Sequence, residues 1–156
     1  MPLVKRSRPQ IGDVIEIPTP SGLAYFQFTH KHQMYGALIR ILPGLFKVRP
    51  TDFSEVVRHK EKFVTFFPLG AACNRKIVHI VANEDVPAWA LPFPLFRSGT
   101  RGADGTVKVW WLWDGNREWK IGSLKTEQQS LPIRGVWNDT LLIERIVSGW
   151  KPELNI

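Results

Sequence analysis

The chain has 156 residues, of which 44% are hydrophobic, and its net charge is +7. This length and apolar content exclude a disordered chain and predict a single domain, residues 1–156. No apolar run reaches membrane-spanning length and the N-terminus lacks the apolar core of a secretory signal, so we expect a cytoplasmic protein that uses no membrane. The single cysteine, Cys73, excludes an internal disulfide and a cysteine pair for zinc.

The positive charge favours an acidic partner, which could be nucleic acid, an acidic protein or an anionic surface. Lys5, Arg6 and Arg8 place part of the excess in residues 1–10, which we predict to be a flexible basic arm. The other basic residues are scattered along the chain, as is typical of ordinary solvated surface.

The first half of the sequence predicts antiparallel strands. Five segments combine period-two apolar spacing with β-branched or aromatic residues: 14–17, 23–28, 35–42, 61–67 and 76–82. Residues 52–62 suit a strand or a helix, and we predict a short helix because Asp52 can cap it. The alanines before residue 76 favour one helical turn.

Residues 84–105 are rich in Pro, Phe and Gly, so we predict a long irregular loop, which is a functional candidate. A hairpin follows, with four of the 7 tryptophans between residues 110 and 119 and a turn signal at Asp114-Gly115. Strand alternation puts bulky apolar side chains on both faces of residues 107–113. One face must be core, and the other needs cover from the same chain, which we favour, or from a partner.

The last third of the chain predicts a short strand at 133–137 and then a helix. Asn138 or Asp139 can cap this helix, Gly149 fits its C-terminal position and Pro152 stops its continuation. The elements together predict a mainly β fold of the α+β class. We expect a strongly bent antiparallel sheet or a partly open SH3-like barrel, with the C-terminal helix packed on it.

The sequence contains no dinucleotide-binding, phosphate-binding, nucleophile-elbow or zinc-protease motif, so we expect a protein that is not an enzyme and uses no cofactor or metal. His30 and His32 could share a strand face as a metal pair, but no third ligand is placed, and a polar turn is favoured. His79 is expected to be a hydrogen-bonded core or edge histidine. A hydrolase or nuclease using these histidines is a third alternative.

Residues 11–28 read Ile-Gly-Asp-Val-Ile-Glu-Ile-Pro-Thr-Pro-Ser-Gly-Leu-Ala-Tyr-Phe-Gln-Phe. They resemble the start of the bacterial immunity-protein twenty-six family, in which a Gly-Asp strand, a Pro and a Gly-x-x-Tyr-type second strand recur, and residues 66–72 are compatible with it. This resemblance implies a small, mostly β cytoplasmic protein that neutralises a toxin domain encoded beside it. Gly12-Asp13-Val14 also resembles the first strand of the SH3-like barrel in PemK-type endoribonuclease toxins.

The leading hypothesis is a non-enzymatic protein-binding module, an immunity-type inhibitor that neutralises a toxin by occlusion. It would present aromatic and arginine side chains to an acidic or aromatic partner surface: Trp89, Phe93, Phe96, Arg97, Arg101, Trp110 and Arg117. The alternative is a small β-barrel nucleic-acid-binding protein, in which exposed aromatics stack on bases and the basic arm follows phosphates. The identity of the partner and the oligomeric state stay open.

Overall fold

The strands within residues 8–155, the part of the chain that a computed structural model describes, form two open antiparallel sheets. The first five strands in chain order are β1 (Asp13–Thr19), β2 (Gly22–His32), β3 (Gly36–Ile41), β4 (Phe63–Phe67) and β5 (His79–Asn83). They pair in the order β4-β3-β2-β1-β5. The other three are β6 (Phe96–Arg101), β7 (Val107–Trp113) and β8 (Glu118–Gly122), which pair in chain order.

Three α-helices accompany the sheets in the described range: α1 (Phe53–Val56), α2 (Leu69–Asn74) and α3 (Asp139–Ser148). The predicted caps are present, because the Asp52 side chain accepts from Ser54 N, and the Asn138 side chain accepts from Leu141 N. Gly149 ends α3 in the left-handed conformation. The mainly β, α+β fold class with a C-terminal helix is confirmed. No helix in the described residues is long and apolar enough to cross a membrane.

Both faces of the five-stranded sheet are buried, because apolar side chains point to both sides of β1 and β2. On one face, Ile15, Phe26 and Ile39 share a buried apolar cluster with Leu142 of α3. On the opposite face, Val14, Tyr25 and Leu42 pack with Phe53 of α1. A third cluster joins the two sheets and consists of four buried side chains: Leu38, Phe66, Phe96 and Trp113.

The predicted loop at 84–105 is wrong in its second half. Residues 84–95 are irregular apart from a single 3-10 turn at Ala88–Ala90, but Phe96–Arg101 is strand β6. Phe96 lies directly opposite Trp113 of β7 and both rings are buried, so the hydrophobic effect, rather than turn chemistry, decides the structure of this segment. The predicted arm at 1–10 falls largely outside the described residues, which begin at residue 8.

The segment 132–137 links the two sheets instead of forming the predicted short strand. Arg97 N donates to Pro132 O at 2.9 Å, and Arg134 N donates to Arg97 O at 2.9 Å. Three residues later, Trp137 N donates to Phe66 O at 3.0 Å on β4. These hydrogen bonds form two isolated parallel bridges, Arg97 with Ile133 and Phe66 with Val136. One short segment therefore closes an edge of each sheet.

Gly12 directly precedes β1, and both its backbone conformation and its close neighbours require a glycine. Its φ is +93°, and a β-carbon there would lie 2.8 Å from the main-chain oxygen of Glu84. We predict that Gly12→Ala lowers the free energy of unfolding by about 1–3 kcal/mol, since it adds both backbone strain and a contact with main chain that has little room to move. Urea unfolding followed by tryptophan fluorescence measures this change.

Gly70→Ala is the matched control. Gly70 lies in α2, its φ is not positive, and nothing lies within 4 Å of a β-carbon built there. This substitution should leave stability unchanged or raise it by up to about 1 kcal/mol. Equal losses for the two variants would contradict the role given to Gly12.

Candidate protein-binding cleft

A cleft of about 640 Å³ opens where the five-stranded sheet meets two irregular segments. Strands β2 to β4 form its floor, while residues 89–94 and 149–153 form its walls. The cleft combines aromatic rings with charged side chains: His30, Arg40, Lys60, Glu61, Lys62, Phe63, Trp89, Phe93, Trp150, Lys151 and Glu153. An apolar concavity with a few polar groups is the usual form of a binding site.

Trp89 is the most exposed of the seven tryptophans, at 46% of its full area. Its indole Nε1–H donates to Oε1 of Glu61 at 3.2 Å, and its ring centre lies 5.9 Å from the guanidinium carbon of Arg40. The ring is thus held in place by a hydrogen bond and a cation–π contact while nearly half of its surface faces solvent.

Arg40 is fully buried and connects the strands with the loops around the cleft. Its Nε–H donates to Gln27 Oε1 at 2.9 Å, and its Nη1 donates to Glu61 Oε1 at 3.0 Å and to His59 O at 3.2 Å. Burial lowers the pKa of the guanidinium, and the Glu61 carboxylate opposes that shift. Gln27 in turn donates to Glu84 O at 2.8 Å, so the network reaches the start of the segment that carries Trp89.

The prediction that His30 and His32 lie in a polar turn is wrong, because both lie on β2, where each ring contacts a loop. His30 Nε2 donates to Leu91 O at 2.7 Å, and His32 Nε2 donates to Gly115 O at 2.7 Å. His32 Nδ1 accepts from Met34 N at 3.1 Å, which assigns the proton of the neutral ring to Nε2. His79 lies on β5 opposite Glu16. No group of three His, Cys, Asp or Glu residues within 8–155 is placed to hold a metal ion.

Four of the predicted partner-binding residues are accessible, but they do not form one surface. Trp89 and Phe93 meet in the cleft, where the half-buried Phe93 ring lies 5.5 Å from the ring of His30. Arg101 and Arg117 are exposed on the three-stranded sheet. They lie at its two ends, since Arg101 closes β6 and Arg117 precedes β8.

The other three residues, Phe96, Arg97 and Trp110, are buried, so the prediction that they lie on a partner-binding surface is wrong. Phe96 joins the cluster between the sheets. The Trp110 ring lies 4.8 Å from the guanidinium carbon of Arg97 on the opposite face of the three-stranded sheet. These side chains pack against each other and against the C-terminal segment of the same chain. The second face of the hairpin is therefore covered from within the chain, as the sequence pattern favoured.

Arg97 donates four hydrogen bonds to main-chain carbonyl oxygens. The acceptors lie in two separate segments: Gln129 at 3.1 Å, Leu131 at 3.1 Å, Pro152 at 2.6 Å and Asn155 at 2.7 Å. Burial lowers the pKa of this guanidinium, and the charge of Glu153 opposes the shift. The sequence carried no signal for this role, because the acceptors are backbone groups.

Glu16 on β1 forms a further buried ionic group outside the cleft. It accepts from both Nε and Nη2 of Arg49, at 2.7 and 2.9 Å, and from the Tyr25 hydroxyl at 2.7 Å. The hydrogen bonds from Arg49 lower the pKa of the Glu16 carboxyl. Burial and the same carboxylate raise the pKa of Tyr25. This bidentate pair ties the segment after β3 to the first hairpin.

Comparison with known proteins finds no matching family model, no similar curated protein and no similar solved structure. The resemblance of residues 11–28 to an immunity family therefore stays a prediction.

We predict that Arg97→Ala lowers the free energy of unfolding by at least about 3 kcal/mol, because it leaves several buried carbonyl oxygens without a donor. Arg101→Ala is the matched control, since Arg101 lies on the same strand with its side chain exposed, and it should cost less than about 1 kcal/mol. Chemical denaturation measures both. An Arg97→Ala protein as stable as the control would contradict the anchoring role.

We also predict that Glu16→Gln flattens the loss of stability in acid. The lowered pKa means that the unfolded chain binds the proton more tightly, so the contribution of Glu16 is complete above the ordinary glutamate pKa of 4.5. It disappears as the pH falls below 4.5 through the lower pKa of the folded state. Urea unfolding at a series of pH values compares the slopes of the wild type and the variant.

Glu55→Gln serves as the control for that series. Glu55 pairs with Arg58 at 3.2 Å, but both side chains are more than half exposed, so water screens the interaction. The acid slope of this variant should match that of the wild type. If Glu16→Gln also matches it, the buried pair does not govern the pH dependence.

Proposed function

We propose that this chain is a non-enzymatic protein-binding module of the immunity type, which neutralises a toxin domain by occlusion in the cytoplasm. The observation that carries the proposal is the pre-positioned, half-exposed ring of Trp89 at the rim of a cationic cleft. Tryptophan is enriched among the side chains that dominate binding energy at protein interfaces.

The Trp89 ring is ordered by contacts within the chain. A partner that covers the ring does not have to restrict its rotation, because Glu61 and Arg40 already do so. Pre-organisation of this kind reduces the entropic cost of association. Leu91 and Pro92, which are exposed on the same segment, extend the apolar area next to the ring.

The charges in the cleft favour an acidic partner surface. The negative charge of Glu61 is already matched by Arg40 at 3.0 Å and by Lys60 at 3.2 Å. Lys62 and Lys151 are exposed in the same cleft and form no ion pair with a described residue. Negative charge on the partner would speed its association with the cleft and would favour it over basic proteins.

The assignment to a toxin partner comes from the first hairpin. Residues 11–28 resemble the immunity family, and within them Gln27 accepts from Arg40 and donates to the start of the loop that carries Trp89. The part of the chain that carries the resemblance thus supports the proposed docking surface. Occlusion requires only that this chain cover the active site of the toxin. It does not require catalysis by this chain.

The test is affinity capture of the tagged full chain from the cells that encode it, after nuclease treatment and at high salt. We expect one stoichiometric protein whose expression alone is toxic and whose toxicity is suppressed by this chain. Trp89→Ala should weaken its binding at least about tenfold and abolish suppression.

Trp119→Ala is the control, because Trp119 is 40% exposed but lies on the three-stranded sheet, away from the cleft. It should bind the captured protein as tightly as the wild type does. A partner that binds Trp89→Ala normally and is lost by Trp119→Ala would move the docking surface to the other sheet. A captured protein that is harmless when expressed alone would refute the immunity role.

A further inference from the structure

The outer edge of β8 is an unpaired strand edge. β8 is the last strand of the three-stranded sheet, and no strand or isolated bridge of the described residues pairs with its second edge. The side chains of Glu118, Trp119 and Lys120 on this strand are exposed. A free edge presents main-chain N–H and C=O groups that can pair with a strand of another chain.

The pairing of β8 with β7 shows which main-chain groups point outward. Asp114 N donates to Arg117 O at 3.1 Å across the turn, and the register is regular from there to Lys120. Hydrogen-bonded and non-hydrogen-bonded pairs alternate along antiparallel strands. Arg117 and Trp119 therefore bond to β7, whereas the N–H and C=O groups of Glu118 and Lys120 point away from it. No main-chain or side-chain group within residues 8–155 bonds to these outward groups.

A second copy of β8 fits these groups when the two strands run antiparallel about a two-fold axis at Trp119. Glu118 of each copy then lies opposite Lys120 of the other, and each such pair exchanges both of its main-chain hydrogen bonds. Directly opposite side chains share a face, so each carboxylate also meets an ammonium group. The two Trp119 side chains lie opposite each other at the non-hydrogen-bonded position, where paired side chains are closest.

The charges on β8 disfavour the neighbouring registers. A shift by two residues in either direction places Glu118 opposite Glu118, or Lys120 opposite Lys120, and like charges directly opposite each other are destabilising. A shift by one residue places the outward groups opposite groups that already bond to β7. Charged side chains on a strand edge usually prevent association. On β8 they leave one register in which the hydrogen bonds and the charges both match.

The side chains of this edge are accessible to a partner. The Glu118 side chain is 53% exposed, and Arg134 engages only its Oε2 atom, at 2.7 Å. Lys120 is exposed and forms no ion pair with a described residue. Trp119 is 40% exposed. Glu118 Oε1 and the Lys120 ammonium group are therefore available for an ion pair between two copies.

We propose that this chain self-associates through β8, so that the three-stranded sheet continues from one copy into a second. A strand of a different protein would need a basic and an acidic residue two positions apart, in the order that matches Glu118 and Lys120. β8 itself supplies that pattern when it is read antiparallel. The contact is small, so the dimer is weak and its population depends on concentration.

This self-association goes beyond the neutralisation of a toxin and does not depend on it. β8 contributes no residue to the Trp89 cleft. A variant that stays monomeric can still be tested for toxin binding, and a chain that binds no toxin can still be tested for dimerisation.

The first test is sedimentation equilibrium of the full-length chain over about three decades of concentration. We expect a reversible change from the monomer mass to the dimer mass. Glu118→Lys and Lys120→Glu each place like charges opposite each other at both ends of the two-fold contact, so each should weaken the dimer at least about tenfold. A mixture of the two variants should dimerise nearly as well as the wild type, because the heterodimer has opposite charges at both ends.

The second test uses the wild type alone and measures amide hydrogen exchange by NMR at low and high protein concentration. The amide protons of Glu118 and Lys120 should exchange rapidly in the monomer and become protected in the dimer. The amide proton of Trp119 bonds to β7 and should be protected at both concentrations.

Arg101→Glu is the matched control. It makes the same change of charge on β6, the opposite outer strand of the same sheet, and should dimerise as the wild type does. Circular dichroism confirms that each variant is folded.

Three results would overturn the proposal: a monomer at every concentration, a Lys120→Glu dimer as strong as that of the wild type, or no recovery when the two charge variants are mixed. A dimer that Trp89→Ala abolishes and Lys120→Glu retains would place the contact at the cleft instead. A monomeric wild type whose captured protein partner is lost by Lys120→Glu would assign the β8 edge to a strand of that partner.

Discussion

A guanidinium group that leaves water has to find an acceptor for its N–H groups inside the protein, and this requirement organises the irregular parts of the structure. Arg97 meets it with four main-chain carbonyl oxygens from residues 129–131 and 152–155. Arg40 meets it with Gln27, Glu61 and the carbonyl oxygens that follow α1. Each arginine lies on a strand, and each holds segments that have few regular hydrogen bonds of their own.

The consequence is a regular scaffold that presents rings at defined positions. The Arg40 network orients Trp89 through Glu61, so the exposed ring belongs to an ordered loop. The Arg97 anchor covers one face of the three-stranded sheet with the C-terminal segment and leaves part of the opposite face open. The proposed docking surface at Trp89 therefore lies beside a buried guanidinium. The buried charge of Arg40 positions neighbouring groups and has no predicted contact with a ligand.

Local patterns in the sequence predicted most of the fold. Strand alternation, the Asp114-Gly115 turn and the caps at Asp52, Asn138 and Gly149 depend on residues close together in the chain, and the structure has them where expected. The burial of Arg97 depends instead on the carbonyl oxygens of residues 129–155, which lie 32 to 58 residues further along the chain. Trp110 packs on Arg97, and Phe96 is buried against Leu38 and Phe66 of the other sheet. Main-chain acceptors leave no mark in a sequence. Proline and glycine around β6 therefore suggested a loop, and Arg97 was assigned to the surface.

The bridging segment 132–137 also determines when the two sheets acquire their last hydrogen bonds during synthesis. Its contacts with Arg97 and Phe66 are the bonds that occupy the outer edges of β6 and β4. At ribosomal speeds of about 5–20 residues per second, Trp137 follows Phe67 by roughly 4–14 s, and during that interval the apolar edge of β4 has no partner. Unpaired strand edges are where nascent chains associate with one another. A chaperone that shields the residues around Phe66 until the end of translation would therefore raise the yield of folded protein more than one that acts after release.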